Sequence, residues 1–140
     1  MEYCSMKIFD KSIELARALM TKDWNGRRCF HLSFVYRKTQ LMVVAENSTK
    51  TSSRNRFNSK SVLLKKGQCS ELRAFISIKN KFIDFDWKKS TMVNIRLGRN
   101  GELLNSCPCG SCSNLIKYVE VGSLWYSRDE GDFQNYYLPK

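Results

Sequence analysis

Two short motifs, Cys69-Ser70-Glu71 and Pro108-Cys109-Gly110-Ser111-Cys112, constrain this chain more than any other feature. Three thiolates from Cys69, Cys109 and Cys112 fill three positions of a tetrahedral zinc and leave the fourth for water. That open position distinguishes a catalytic zinc from a structural one. To share one ion the two motifs must meet in space, so whatever residues 72–107 form has to bring them back together. Both stand at expected helix starts, where unpaired backbone N–H groups and the positive end of the helix dipole stabilise thiolates. Cys109 and Cys112 are three apart, adjacent on one helical turn. Pro108 fits at or before that turn, where its missing N–H costs nothing. Glu71, two residues after the first thiol, is placed to move protons without ligating the metal.

The 140 residues match one domain, and 42% hydrophobic with 12% aromatic content argues for a folded globule. No apolar run approaches the roughly 20 residues that span a bilayer. Residues 1–6 lack the basic start and apolar core of a signal peptide, so the expectation is a cytoplasmic protein with no membrane partner. Cys107, Cys109 and Cys112 crowd together while the other three cysteines are scattered, a pattern that favours metal over disulfides. The net charge is +11, and residues 48–68 hold Lys50, Arg54, Arg56, Lys60, Lys65 and Lys66 without one acidic residue. A segment of that kind either faces solvent as a loop or attracts an anionic partner, a nucleotide phosphate or a nucleic-acid backbone.

Phe9, Ile13, Ala16 and Met20 recur at helical spacing and predict an amphipathic helix over 10–22, with Asp10 as its N-cap. Cys29–Tyr36 alternates as a strand, and Leu41–Ala45 is a continuous apolar run expected of an inner strand. The intervening Arg37–Gln40 turn makes the pair an antiparallel hairpin. A second helix is expected from Cys69 through Ile78, a strand over Met92–Leu97 and a third helix from Cys109 to Tyr118. Further strands are expected over Val119–Ser127 and Gln134–Leu138. Six residues, 128–133, are too few for a crossover helix, so the last strand should return antiparallel. The order predicts an α/β protein of three layers, with a mixed five-stranded sheet between helices.

At these residues the chain resembles the cytidine deaminase superfamily, whose signature is the same His-or-Cys, Glu, Pro-Cys-x-x-Cys pattern. The resemblance covers residues 29–127 and is closest to the small three-cysteine cytidine deaminases. Asn47-Ser48-Thr49-Lys50-Thr51 is similar to a segment of small phage-type deaminases. It implies a cytidine deaminase-like fold with helices on both faces of the sheet, Zn2+ held by Cys69, Cys109 and Cys112, and Glu71 as proton shuttle. The implied reaction is hydrolytic: zinc-held hydroxide attacks the amine-bearing carbon of cytosine in a (deoxy)cytidine nucleoside or nucleotide, giving uracil. Asn47, Lys50, Arg54 and Ser106 are the candidate substrate-binding residues. Arg73, on the helical face of Cys69, is a candidate to compensate the negative charge of three thiolates around a dication, or else an ordinary solvent-facing helix charge. The resemblance also implies a homo-oligomer.

The chain departs from the family pattern where Leu72, not arginine, follows Glu71. Three other readings stay open. Single-stranded DNA or RNA is an alternative substrate, with residues 48–68 as a basic track and Trp24, Trp87, Trp125 or Tyr126 as stacking platforms if they are not packing residues. A non-catalytic zinc module would add Cys107 as fourth ligand. A silent fold kept for binding is the third. His31, the single histidine, reads as a structural residue of its strand.

Overall fold

The computed structural model describes residues 2–22, 30–46, 70–82, 84–108 and 110–137. In chain order these form α1 (Glu2–Lys22), β1 (Phe30–Arg37), β2 (Gln40–Glu46), α2 (Ser70–Lys81), a 3₁₀ turn at Trp87–Lys89, β3 (Ser90–Leu97), β4 (Leu103–Leu104), α3 (Gly110–Val119), β5 (Ser123–Ser127) and β6 (Phe133–Asn135). The strands make one mixed sheet ordered β2-β1-β3-β5-β6, with β4 also paired to β3. β1 runs antiparallel to both β2 and β3, β3 and β5 are parallel, and β6 returns antiparallel to β5.

Strand parity divides the sheet into two faces. Phe30, Leu32, Phe34 and Tyr36 of β1 and Val93, Ile95 and Leu97 of β3 pack with Ile8 and Ala16 of α1. Val35, Val43, Met92, Leu124 and Tyr126 point the other way, against Ala74, Phe75 and Ile78 of α2 and Ile116 of α3. The protein is therefore α/β in three layers, with α1 on one face and α2 and α3 on the other. One polar pin ties α1 to the sheet: the buried Ser12 hydroxyl donates to Ile8 O at 2.7 Å and lies 2.7 Å from Tyr36 Oη. Among the described residues, no helix is long and apolar enough to cross a membrane.

Several boundaries differ from expectation for identifiable reasons. α1 begins at Glu2, and Asp10 is a mid-helix, exposed residue. No glycine or proline interrupts residues 2–22, and Ile8, one turn ahead of Ser12, extends the buried stripe backwards. Leu41–Ala45 lies at one end of the described sheet rather than inside it. Its apolar run comes from a bulge, because Val35 pairs with Val43 while Tyr36 pairs with Leu41. The extra residue, Met42, shifts the alternation so that both faces receive apolar side chains.

β5 starts at Ser123 instead of Val119 because α3 continues through Val119. Glu120, at φ 64°, closes that helix in the left-handed region, with its N–H on Ile116 O at 3.0 Å. Among the described residues the sheet has six strands rather than five. Asn100-Gly101, with Gly101 at φ 81°, reverses the chain so that Leu103 and Leu104 pair back onto Leu97 and Arg96. The stacking candidates Trp87, Trp125 and Tyr126 are packing residues: Trp87 meets Phe75 and Phe85, Trp125 meets Phe9, and Tyr126 meets Tyr136.

Gly122 sits where the turn at Trp87–Lys89 passes the start of β5, its N–H on Trp87 O at 2.8 Å. A Cβ there would stand 2.2 Å from Lys88 O and 2.7 Å from Ser90 O, both backbone atoms. Gly122→Ala should therefore destabilise the fold by about 1–3 kcal/mol in urea unfolding, the usual cost of overpacking. Unchanged stability would mean that this turn is not held against β5.

Candidate active site

The face of β1 and β3 under α2 changes character along its length. Three cross-strand pairs occupy it in register: Val35 with Met92, Ser33 with Asn94, and His31 with Arg96. The first is apolar and belongs to the core, whereas the next two are polar, on central strands where buried apolar runs are the norm. A buried polar group is costly unless bonded, and here the bonds converge on the start of α2. Ser33 Oγ donates to Asn94 Oδ1 at 2.8 Å and lies 2.8 Å from Ser70 Oγ. Asn94 Nδ2 donates to Glu71 Oε2 at 3.3 Å, and Ser70 Oγ donates to Glu71 Oε1 at 3.1 Å.

Glu71 is only 1% exposed, so its carboxylate faces the sheet and not bulk water. It stands in the first turn of α2, where the helix dipole favours an anion. Among the described residues, each of its oxygens accepts one bond. Its surroundings also reach His31. Burial lowers the His31 pKa below the ordinary 6.5 and Arg96 lowers it further, while Glu71 acts in the opposite sense.

The second motif arrives at the same place from the other side. Beyond Tyr126 the parallel strands part, and the chain ahead of α3 enters between them. Ser106, buried, donates its hydroxyl to Asn94 O at 2.9 Å and accepts the Ser127 N–H at 2.8 Å. Its own N–H bonds Ser127 O at 2.9 Å. Ser127 Oγ in turn donates to Leu104 O at 2.6 Å and accepts the Arg96 N–H at 3.2 Å. Asn94 thus serves both motifs: its amide holds Glu71 and its carbonyl holds Ser106. The location, past the carboxyl ends of parallel strands, is where open α/β sheets place ligands.

The expected site residues distribute as follows. Glu71 is buried in the network, and Ser106 beside it bonds the Asn94 carbonyl and meets Ser127. Arg73, half-buried, donates to Glu46 O at 2.9 Å and so ties α2 to the end of β2. Cys69, Cys109, Asn47, Lys50, Arg54 and the whole 48–68 segment lie outside the described residues, and of Cys112 only its place in α3 is described. Among the described residues, no group of three His, Cys, Asp or Glu forms a metal site. Cys107 is half-buried against the apolar layer of α2 and α3. The donor set suits zinc: α2 begins at Ser70 and α3 at Gly110, each directly after a candidate thiolate, and the segments flanking both are pinned to Asn94.

Ser33, Asn94 and Arg96 lie outside both motifs, Ser70 is the intervening residue of the first, and none of the four is among the expected site residues. For the strand residues the signal in the sequence is parity: His31 and Ser33, like Asn94 and Arg96, alternate with large apolar residues in segments too apolar for an exposed face. No known family model matches the chain, and no curated protein matches it.

Ser106→Ala should cost about 1–3 kcal/mol in urea unfolding, because it leaves the Asn94 carbonyl and the Ser127 amide without their partner. His31 makes a second prediction through linkage. Its lowered pKa means the unfolded chain binds the proton first, so its contribution is fully present above pH 6.5 and is lost as pH falls below that value. His31→Gln should flatten stability against pH in the window just below 6.5. An unchanged slope there would show that this ring does not couple to folding.

Proposed function

We propose that this chain is a zinc-dependent hydrolytic deaminase that converts cytosine to uracil in a (deoxy)cytidine nucleoside or nucleotide. One observation carries the reading: a buried glutamate after the first thiol and the segment before Pro-Cys-x-x-Cys are both bonded to one residue, Asn94. A structural zinc module has no use for a buried carboxylate at that point. The resemblance of the two motifs to the cytidine deaminase superfamily supplies the reaction class.

Cys69, Cys109 and Cys112 would hold the metal, which when bound supplies Lewis acidity that makes water a nucleophile near neutral pH. Glu71 moves the protons. The water oxygen bonds to the amine-bearing carbon, the carbon–nitrogen bond breaks, and ammonia leaves. Glu71 carries the water's proton to the ring nitrogen and a further proton to the departing nitrogen, so base and water become uracil and ammonia. Ser70 and Asn94 keep the carboxylate aimed throughout, and α2 with the sheet excludes bulk water from its inner side.

The basic segment 48–68 favours an anionic substrate, either a nucleotide or, as a second reading, single-stranded nucleic acid. Purified protein should release ammonia from cytidine, deoxycytidine or their monophosphates, and less from single-stranded DNA or RNA. The reverse order would move the substrate to the polynucleotide. Glu71→Gln should lower the rate by roughly 10²–10⁴ while zinc per chain, measured by atomic emission, stays at the wild-type level. Activity retained in Glu71→Gln would end the catalytic reading.

A further inference from the structure

Asn94 stands apart from the other polar residues of the sheet because both ends of its side-chain amide are bonded within the protein. Its Oδ1 is taken by Ser33 and its Nδ2 by Glu71, and the residue is fully buried. An amide has two ends with different chemistry, and a carboxylate oxygen needs the nitrogen end. The carboxylate, which only accepts, takes the nitrogen end, and the Ser33 hydroxyl, donating to the oxygen end, holds the amide in that orientation. Ser33 in turn touches Ser70, which holds the second carboxylate oxygen. The four side chains close a ring in which both oxygens of Glu71 are restrained.

On the basis of this ring, and resting on the deaminase reading above, we infer that Asn94, oriented by Ser33, is the positioning residue for the Glu71 carboxylate. It touches neither substrate nor reacting atoms. Its amide stops the carboxylate from turning about its last side-chain bond, and proton transfer depends steeply on that alignment. The role is separable from metal binding, because the Asn94 contact to the second motif is made by its backbone carbonyl, which a side-chain change leaves in place.

The test compares wild type with Asn94→Leu, branched in the same way but without a donor, and with Ser33→Ala, which removes only the group that holds the amide's oxygen end. For Asn94→Leu, kcat should fall about tenfold or more, the effect of losing one bond to a charged group. KM should stay within about threefold and zinc per chain should be unchanged. Ser33→Ala should show the same split with a smaller loss of kcat. Adding Asn94→Leu to Glu71→Gln should lower the rate no further.

A readout independent of turnover uses protein labelled with 13C at the glutamate carboxyls, with the Glu71 resonance assigned by its loss in Glu71→Gln. That resonance should shift in both Asn94→Leu and Ser33→Ala. An unmoved resonance, or zinc lost in proportion to rate, would overturn the assignment and make Asn94 a support of the fold alone. If wild type turns over no cytosine substrate, the deaminase reading fails separately, and the carboxyl resonance still decides whether Asn94 holds Glu71. Should Asn94→Leu not fold, Ser33→Ala decides by the same two readouts.

Discussion

One residue in the middle of the sheet, Asn94, has two hydrogen-bonding groups, and the rest of the site depends on both. Its side chain restrains the only carboxylate at the start of α2, and its carbonyl restrains the segment that leads into α3. A polar residue in this position is expensive to bury and is tolerated because every one of its groups is bonded. The same expense makes the arrangement specific. An apolar residue would keep the backbone bond to Ser106 but would leave Ser33 and one oxygen of Glu71 without the Asn94 amide.

The sheet provides the rigidity this arrangement needs. α1 covers one face with an apolar layer pinned by Ser12 and Tyr36, which leaves the opposite face to vary along its length. At the Val35 and Met92 end that face is core, and at the His31 and Arg96 end it is polar. The changeover falls under the first turn of α2, where unpaired N–H groups and the helix dipole already favour an anion. Helix electrostatics and the bonds of the sheet therefore act on Glu71 from opposite sides.

Much of the architecture was legible in order and type. The hairpin, the helices beginning directly after Cys69 and Cys109, and the antiparallel last strand all follow from local spacing and loop length. The misplacements have local causes too. Asn100-Gly101 is a hairpin signal that reads equally well as the end of a strand. Val119-Glu120-Val121 looks strand-like because two β-branched residues flank a polar one, yet Glu120 takes the left-handed conformation that ends α3. Leu41–Ala45 is apolar on successive residues because of a bulge, which no periodicity reveals.

The sequence by itself determined the chemistry on offer: three thiols and a glutamate at spacings that suit one zinc, and a basic stretch suited to anions. It determined this because ligand type and helical spacing are local properties. Only the tertiary structure decided that Ser33 and Asn94, 61 residues apart, are neighbours, and that their register sets them beneath Glu71. Strand pairing joins distant segments through backbone bonds common to every residue, so the identity of a strand's partner is written in no single segment of the chain.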